Sequence, residues 1–270
     1  MNPIKKQAER SVFTVKEKIS LSPHYTRIVC HMSDEQVLLF SRARAGANNK
    51  IYLPPPGITT VIFPGEPVPE GLLPAVQRTY TTRRIDPDRQ ELWVDFVAHG
   101  DTGPASYWAH RAGPGSQLGL AMKIPGRPLF PEATNYLFVG DATALPVIAT
   151  MLEQVAPTAQ VTTLIEVPGK ADELPLHTSA SLQALWFHNE QLGPGSLLAD
   201  AVPEITLPAD TFVFVAAEYH TAKRLRHYFK EELSWPTANY SIVSYWKQGE
   251  SEDQSEMQRR ETTPVKPANQ

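Results

Sequence analysis

The chain contains a single cysteine, Cys30, within the apolar stretch TRIVCHM. One cysteine excludes an internal disulfide and every cluster that needs several cysteine ligands, so core packing is its expected role. No apolar run approaches the roughly 18 residues that a membrane-spanning helix requires. The basic first residues are not followed by the apolar core of a signal peptide. We therefore expect a cytoplasmic protein without membrane insertion.

The chain also has little excess of charge of either sign, since 25 lysines and arginines nearly balance 29 aspartates and glutamates and the formal net charge at pH 7 is −4. This balance gives no general electrostatic reason to bind nucleic acid, and an anionic partner would need a local group of cations. The histidines are scattered without the spacing of metal ligands, so we predict no resident metal site. We expect a monomer.

The two halves of the chain differ in pattern and predict two domains. The first half has short alternating strands, brief helices and a Pro- and Gly-rich loop that ends near Pro74, which is typical of a small antiparallel barrel. Beyond Pro131, apolar strands such as NYLFVGD and AQVTTLIEV alternate with helices and predict a parallel sheet covered on both faces. We predict domains at residues 1–128 and 129–250, followed by a polar, disordered tail at residues 251–270.

The run RTYTTR at residues 78–83 alternates cations, an aromatic ring and small hydroxyls. In an extended strand, Arg78, Tyr80 and Thr82 share one face, and the other three residues share the opposite face. An R-x-Y-T-x-R strand resembles the flavin-binding strand of the ferredoxin-reductase superfamily. There the ring packs on the isoalloxazine, the hydroxyl lies near flavin N5 and arginine meets phosphate. An ordinary amphipathic strand is the alternative, because the motif is short.

About twenty residues further on, the segment HGDTGPASYWA follows a strand that ends at His99. Gly103 before Pro104 predicts a helix with proline at its first position. The unpaired amides and positive partial charge of such a helix start suit a pyrophosphate, although a simple helix cap would use the same residues. Together with the strand motif, this segment favours a bound flavin nucleotide.

In the second half, the segment VGDATALP at residues 139–146 ends a strand in glycine and begins a helix within a few residues. That arrangement predicts a crevice at the carboxyl end of a parallel sheet, where nucleotides usually bind. The segment is not G-x-G-x-x-G, because Ala142 stands in the place of the second glycine.

Five segments in this order, RTYTTR, DFVAHGDTGPASYWA, FVGDATALPVIA, FVAAEYHTAKRLRHYF and VSYWKQGESED, resemble the siderophore-interacting protein family of FAD-dependent ferric-siderophore reductases. The resemblance extends from about Ser11 to Asp253. It implies a two-domain ferredoxin-reductase-like fold, with an antiparallel six-stranded β-barrel that binds FAD and an α/β parallel-sheet domain that binds NAD(P)H.

The resemblance also implies roles for individual residues. Tyr80 and Thr81 would contact the reactive part of the flavin and form the catalytic pair. The other FAD contacts would come from Arg78, Arg83, His99, Thr102, Gly103, Ala105 and Ser106. The nicotinamide side of the site would contain Asp141, Thr143, Glu166 and Glu218.

Three of these residues have alternative roles. His99 would equally make a local hydrogen bond at a strand end. Glu166 would accept from an adenosine ribose hydroxyl and repel a 2′-phosphate, which favours NADH over NADPH. A solvated strand-end glutamate is as good an explanation, and the nearby Lys170 leaves the nucleotide preference open. Glu218 would equally be a helix-capping carboxylate.

A ferric siderophore carries hard oxygen donors and often negative charge, so its site needs cations beside the flavin edge. By the resemblance, these cations are Lys50, Arg127 and Lys247. Lys123 is the alternative to Arg127, because the order PGRP at that point departs from the usual PRG order of the family.

The resulting hypothesis is that NADH reduces FAD, which passes single electrons to chelated Fe(III) and so releases iron as Fe(II). NADPH or reduced ferredoxin are alternative electron donors. A flavin reductase that releases reduced flavin is one rival function. A non-catalytic siderophore-binding or iron-trafficking protein is another.

Overall fold

The computed structural model describes residues 8–98, 103–124, 128–190 and 195–250. The predicted polar tail at residues 251–270 lies outside the described residues. Three predicted site residues, His99, Thr102 and Arg127, also lie outside them.

Six antiparallel strands close into a barrel in the order β1-β2-β5-β4-β3-β6, which confirms the six-stranded barrel. The strands are β1 (Ala8–Ser22), β2 (Tyr25–His31), β3 (Asn48–Leu53), β4 (Val76–Asp86), β5 (Glu91–Val97) and β6 (Gln117–Lys123). Alternate residues along each strand point into the barrel, so side chains such as Phe13, Ile51 and Leu120 fill a closed apolar core. Cys30 belongs to this core, where burial raises the pKa of its thiol to about 12.

Two short helices accompany the barrel. Helix α1 (Asp34–Leu39) begins with a capping box, in which the Ser33 hydroxyl accepts from the Gln36 amide and the Gln36 side chain accepts from the Ser33 amide. Helix α2 (Pro104–Arg111) has Gly103 as its N-cap and Pro104 at its first position, as the sequence predicts. Both helix starts therefore follow from local sequence.

The Pro- and Gly-rich stretch between β3 and β4 contains no helix or strand, as predicted. It is nevertheless packed, because Val61 and Phe63 form a small buried cluster with Tyr52 on the outer face of the barrel. A Cβ atom on Gly119 would lie 2.9 Å from Val61 Cγ1, so glycine lets the loop approach strand β6 closely.

The second half forms a five-stranded parallel sheet in the order β11-β10-β7-β8-β9. Its strands are β7 (Asn135–Asp141), β8 (Gln160–Val167), β9 (Ser181–His188), β10 (Thr211–Glu218) and β11 (Tyr240–Trp246). Its helices are α3 (Leu145–Leu152), α4 (Leu198–Ala201) and α5 (Tyr219–His227), the last continued by a π-helical turn at Tyr228–Glu232. Within the described ranges, no helix has both the length and the apolar character needed to cross a bilayer.

Both faces of the sheet are covered, which confirms the predicted α/β architecture. On β7, Phe138 packs in the apolar cluster that contains α3, whereas Leu137 and Val139 pack in the cluster that contains α4 and α5. The sequence pattern did not reveal strand β9, whose residues are only half-buried at the sheet edge. The connection from β8 to β9 also lacks an α-helix and contains only a 3₁₀ turn at Lys170–Asp172.

Candidate functional site

Strands β4 and β5 are hydrogen-bonded to each other along only part of their shared seam. The β4–β5 ladder starts at Thr82, opposite Val94, and continues to Asp86. The first half of β4 pairs only with β3, and residues 95–97 of β5 pair only with β2. We call this unpaired part of the seam, between the first half of β4 and residues 95–97 of β5, the slot. The Tyr80 ring lies at this slot, half-buried, with its centroid 4.7 Å from that of Phe96.

The strand register places the predicted residues of β4 on two faces. Arg78 lies opposite the core residue Ile51, so Arg78 and Tyr80 belong to the inner face. Thr81 lies on the outer face, where its hydroxyl donates to Asn48 Oδ1 at 3.1 Å. The phenol of Tyr245, from the last strand of the sheet, bonds to the same threonine and asparagine, and burial raises its pKa. The outer face of β4 therefore meets the end of β11 here.

Arg83 lies in a β-bulge of β4, and its side chain is 9% exposed. Its guanidinium binds both carboxylate oxygens of Glu153, at the end of α3, with Nη1 3.1 Å from Oε2. The Thr150 hydroxyl donates to the Arg83 carbonyl at 3.1 Å. Arg83 thus joins the barrel to α3. Its role towards FAD stays a prediction.

The start of α2 lies at one end of the slot. The Ser106 hydroxyl donates to the carbonyl of Val97, the last residue of β5, at 3.3 Å. Ala105 and Ser106 are buried, and the Gly103 N-cap supplies no side-chain bond to the first-turn amides. A cavity of about 80 Å³ adjoins this turn. It is lined by Thr26, Phe96, Val97, Ala98, Ser106, Ala109 and His110.

These features fit a flavin dinucleotide. A half-buried aromatic ring lies at the slot, and the helix start has as its N-cap a glycine, which has no side chain. Helix-start amides suit a pyrophosphate, and an aromatic ring suits the face of a planar ring system. The individual contacts remain predictions.

Asp141 lies at the carboxyl end of β7, beside the end of β10, where the sequence predicts a crevice, and it is 4% exposed. Its carboxylate accepts from the Thr143 amide at 2.9 Å, from the Thr143 hydroxyl at 2.5 Å and from the Glu218 amide at 2.9 Å. The indole of Trp246 donates to it at 2.8 Å. Burial raises the pKa of Asp141 and outweighs these hydrogen bonds, which lower it.

Glu218 ends β10 and is the N-cap of α5, which confirms the helix-capping alternative for this residue. Its carboxylate, 2% exposed, accepts from the His220 amide at 2.5 Å and from the Gln248 amide at 3.2 Å. A contact with nicotinamide stays a prediction.

Glu166, at the end of β8, is 1% exposed, so the alternative of a solvated strand-end glutamate is wrong. The Leu197 amide donates to it at 2.7 Å, and burial raises its pKa. Lys170 instead pairs with Glu173, with 2.7 Å between Nζ and Oε2. The predicted ribose contact of Glu166 remains untested.

Two of the predicted substrate lysines border one junction between barrel and sheet. Lys50 lies two residues from Asn48 on the outer face of β3, and its Nζ donates to Thr79 Oγ1 at 2.7 Å. Lys247 follows Tyr245 by two residues. Because Tyr245 bonds to Asn48, both lysines lie near the same contact. Lys123 is exposed, on the outer face of β6, two residues beyond the Ala121 that pairs with Lys50.

Sequence reasoning assigned no role to several residues of this junction. Asn49 is 3% exposed and bridges the barrel interior, since its amide donates to Thr82 Oγ1 at 2.8 Å and its carbonyl accepts from the Lys123 amide. Asparagine is common in turns, so the pair Asn48-Asn49 at the start of β3 gave no signal of a buried role. The closing Tyr245-Trp246 pair was a stronger signal, because adjacent large aromatics ended a chain region that then becomes polar.

Two family models together match most of the chain. The model described as siderophore-interacting FAD-binding domain matches residues 14–126, and the model described as siderophore-interacting protein matches residues 133–249. Ferric vibriobactin reductase ViuB from Vibrio cholerae is 26% identical over 228 residues, which are 82% of this chain and 84% of that protein.

Solved structures agree with these matches. The siderophore-interacting protein SipS from Aeromonas hydrophila is 28% identical, with a TM-score of 0.78 over 94% of this chain and 98% of that chain. A ferredoxin NADP⁺ reductase from Neisseria gonorrhoeae is 13% identical, with a TM-score of 0.61 over 88% of this chain and 99% of that chain, and shows the shared fold alone. One family model matches the barrel half and the other matches the sheet half. The chain therefore belongs to the siderophore-interacting protein family, with its FAD-binding domain and ferredoxin-reductase-like fold.

Proposed function

We propose that this protein is an FAD-dependent ferric-siderophore reductase of the cytoplasm, which uses NADH to reduce chelated Fe(III) to Fe(II). The slot between β4 and β5 is the observation that carries the proposal, because Tyr80 lies at it and the start of α2 closes one end. The similarity to a ferric vibriobactin reductase supports the same reaction class.

In this proposal, the barrel holds the cofactor. Arg78, Tyr80 and Thr81 bind and orient the flavin ring and ribityl chain, and the first turn of α2 binds the pyrophosphate. Gly103, Ala105 and Ser106 supply that turn, and His99, Thr102 and Arg83 complete the predicted FAD contacts. The chemistry that FAD supplies when bound is conversion of a two-electron donor into single electrons for iron.

The sheet receives the electron donor. Thr143 follows the carboxyl end of β7, where nucleotides bind in this fold type. The buried carboxylate of Glu166 disfavours a 2′-phosphate, so we propose NADH over NADPH. Anaerobic bleaching of the flavin by NADH, NADPH or reduced ferredoxin compares the three donors directly. Faster bleaching by NADPH or ferredoxin than by NADH would contradict this choice.

The substrate site uses the lysines beside the barrel–sheet junction. Lys50 and Lys247, with Arg127 or Lys123, attract an anionic chelate to the exposed flavin edge. Hard anionic oxygens bind Fe(II) far less tightly than Fe(III), so reduction releases the metal. No side chain needs to form a covalent bond or to act as an acid in this electron transfer.

The test measures reduction of an iron(III) tris-catecholate complex, with Fe(II) trapped by a chromogenic ligand. Methionine replacements of Lys50, Arg127 and Lys247 should lower kcat/KM for this anionic chelate far more than kcat/KM for a neutral quinone. An equal loss for both acceptors, or no loss, would instead indicate a flavin reductase that serves a partner. Purified protein that lacks flavin absorption after incubation with FAD would indicate a non-catalytic binding protein.

A further inference from the structure

Two buried carboxylates hold the segment that carries Lys247. The Trp246 indole donates to Asp141 Oδ2 at 2.8 Å, immediately before the lysine. The Gln248 amide donates to Glu218 Oε1 at 3.2 Å, immediately after it. Lys247 is therefore fixed from both sides by acids that end neighbouring strands of the sheet, β7 and β10.

Both carboxylates are occupied by donors of the chain itself. Asp141 accepts from Thr143, Glu218 and Trp246, and Glu218 accepts from His220 and Gln248. Neither is more than 4% exposed. A buried carboxylate without hydrogen bonds is unfavourable. Moving residues 246–248 away from either acid would therefore cost free energy. Each oxygen of Asp141 already accepts two hydrogen bonds, so a nucleotide hydroxyl would have to displace a donor before it could bind to Asp141.

Glu218 also positions the surroundings of the Lys247 ammonium. As the N-cap of α5, it sets the start of the helix at Tyr219. The Lys247 ammonium lies 5.2 Å from the centroid of the Tyr219 ring and pairs with Glu250. On the other side, Tyr245 is held against Thr81 and Asn48 of the barrel. The lysine thus lies on a short segment with fixed points at residues 245, 246 and 248.

We propose that Asp141 and Glu218 are positioning residues for the ferric chelate, which act by fixing the segment around Lys247, and that nucleotide binding is not their task. This inference rests on the proposed function, since it assumes that Lys247 meets the chelate. It changes the assignment of two acids that sequence resemblance placed on the nicotinamide side.

The test removes the indole donor and keeps the aromatic ring. Trp246→Phe should raise KM for the iron(III) tris-catecholate complex by about threefold to tenfold, the effect of one lost hydrogen bond, and leave kcat within about twofold. Trp93→Phe is the matched control. Its indole also donates to a carboxylate, Glu91 Oε2 at 3.0 Å, but on strand β5 of the barrel and not in the sheet. The KM of Trp93→Phe should therefore equal that of the wild type.

A double variant that combines Trp246→Phe with Lys247→Met tests whether the indole acts through the lysine. If the indole acts through Lys247, Trp246→Phe should add no further increase in KM to that of Lys247→Met. If the KM increases of the two single variants multiply in the double variant, the positioning role is overturned. It is also overturned if Lys247→Met raises KM and Trp246→Phe does not, and in both cases the proposed function stands. An unchanged KM for Lys247→Met would overturn the substrate assignment in the proposed function, and the inference with it.

Discussion

Gly140 precedes Asp141 at the end of β7, where the strand turns into the helical segment that forms the crevice. A Cβ atom at this position would lie 2.4 Å from Ala144 Cβ and 2.8 Å from the Ala216 carbonyl oxygen. Neither neighbour is the flexible end of a side chain, so the clash would have to move backbone. We expect Gly140→Ala to lower the free energy of unfolding by about 1–3 kcal/mol, measured by urea denaturation.

Gly169 provides the control at the residue scale. Its backbone is extended, with φ −166°, and an added Cβ would meet nothing within 4 Å. Gly169→Ala should therefore leave the free energy of unfolding within about 0.5 kcal/mol of the wild type. Equal destabilisation by the two substitutions would contradict the steric explanation for Gly140.

Tyr80 gives a second prediction for a single residue. If its ring packs on the flavin, Tyr80→Leu should raise the Kd for FAD by about tenfold, because an aromatic contact is lost while an apolar side chain remains. Quenching of flavin fluorescence measures the Kd. Tyr52→Leu is a suitable comparison, since Tyr52 packs on Phe63 under the Pro-rich loop, and it should not alter the Kd. A normal Kd in Tyr80→Leu would argue against the slot as the flavin site.

At the scale of elements, the β4 bulge is joined to α3 by Arg83 and Glu153. Arg83 is nearly buried, whereas the Glu153 side chain is 40% exposed, so solvent screens part of the interaction. Glu153→Gln leaves the guanidinium without its anion and should lower the free energy of unfolding by about 1–2 kcal/mol. Arg83→Met should lower the free energy of unfolding less in the Glu153→Gln variant than in the wild type, and a double-mutant cycle measures this difference.

An exposed ion pair provides the comparison for this cycle. Lys230 and Glu231 are 2.7 Å apart but more than half-exposed, so Glu231→Gln should leave stability unchanged. Additive effects of the Arg83 and Glu153 substitutions would mean that the bulge and the helix are not coupled through this pair.

Elements with strong local patterns could be predicted from sequence. The barrel strands alternate, β7 and β10 are continuously apolar, and the Gly103-Pro104 pair marks the start of α2. Strand β9 could not be predicted, because its half-exposed residues lack a clear period and no helix precedes it. Edge strands bury little on either face, so their sequences carry a weaker signal.

Around the candidate site, local turns and helix starts could be predicted, but long-range contacts could not. The Gly103-Pro104 pair marks the start of α2, and the segment after Gly140 forms a short 3₁₀ turn before α3. The contacts of Trp246 with Asp141 and of Arg83 with Glu153 join residues 105 and 70 positions apart. Nothing in the local sequence pattern of either partner specifies such a contact, so the sequence analysis assigned Asp141 and Arg83 to the cofactors.

At the scale of the whole molecule, Asp172 joins the sheet half to the turn between β1 and β2. Its carboxylate accepts from the Ser22 hydroxyl at 2.7 Å and from the His24 amide at 3.0 Å, and it lies 2.9 Å from His24 Nδ1. Burial alone would raise the pKa of Asp172, but these hydrogen bonds outweigh burial and lower it. The ionised carboxylate is thus favoured by the folded state.

A lowered pKa means that this contribution is present above the pKa of the unfolded chain, about 4, and is lost as pH falls through the lower pKa of the folded state. Asp172→Asn should therefore lower the free energy of unfolding at pH 7 by about 1–3 kcal/mol, and the difference from the wild type should shrink below pH 4. Urea denaturation of both proteins at pH 7, 5 and 3 measures the two differences. Because the contact joins barrel and sheet, a difference that stayed constant across this range would mean that their connection does not depend on the charge of Asp172.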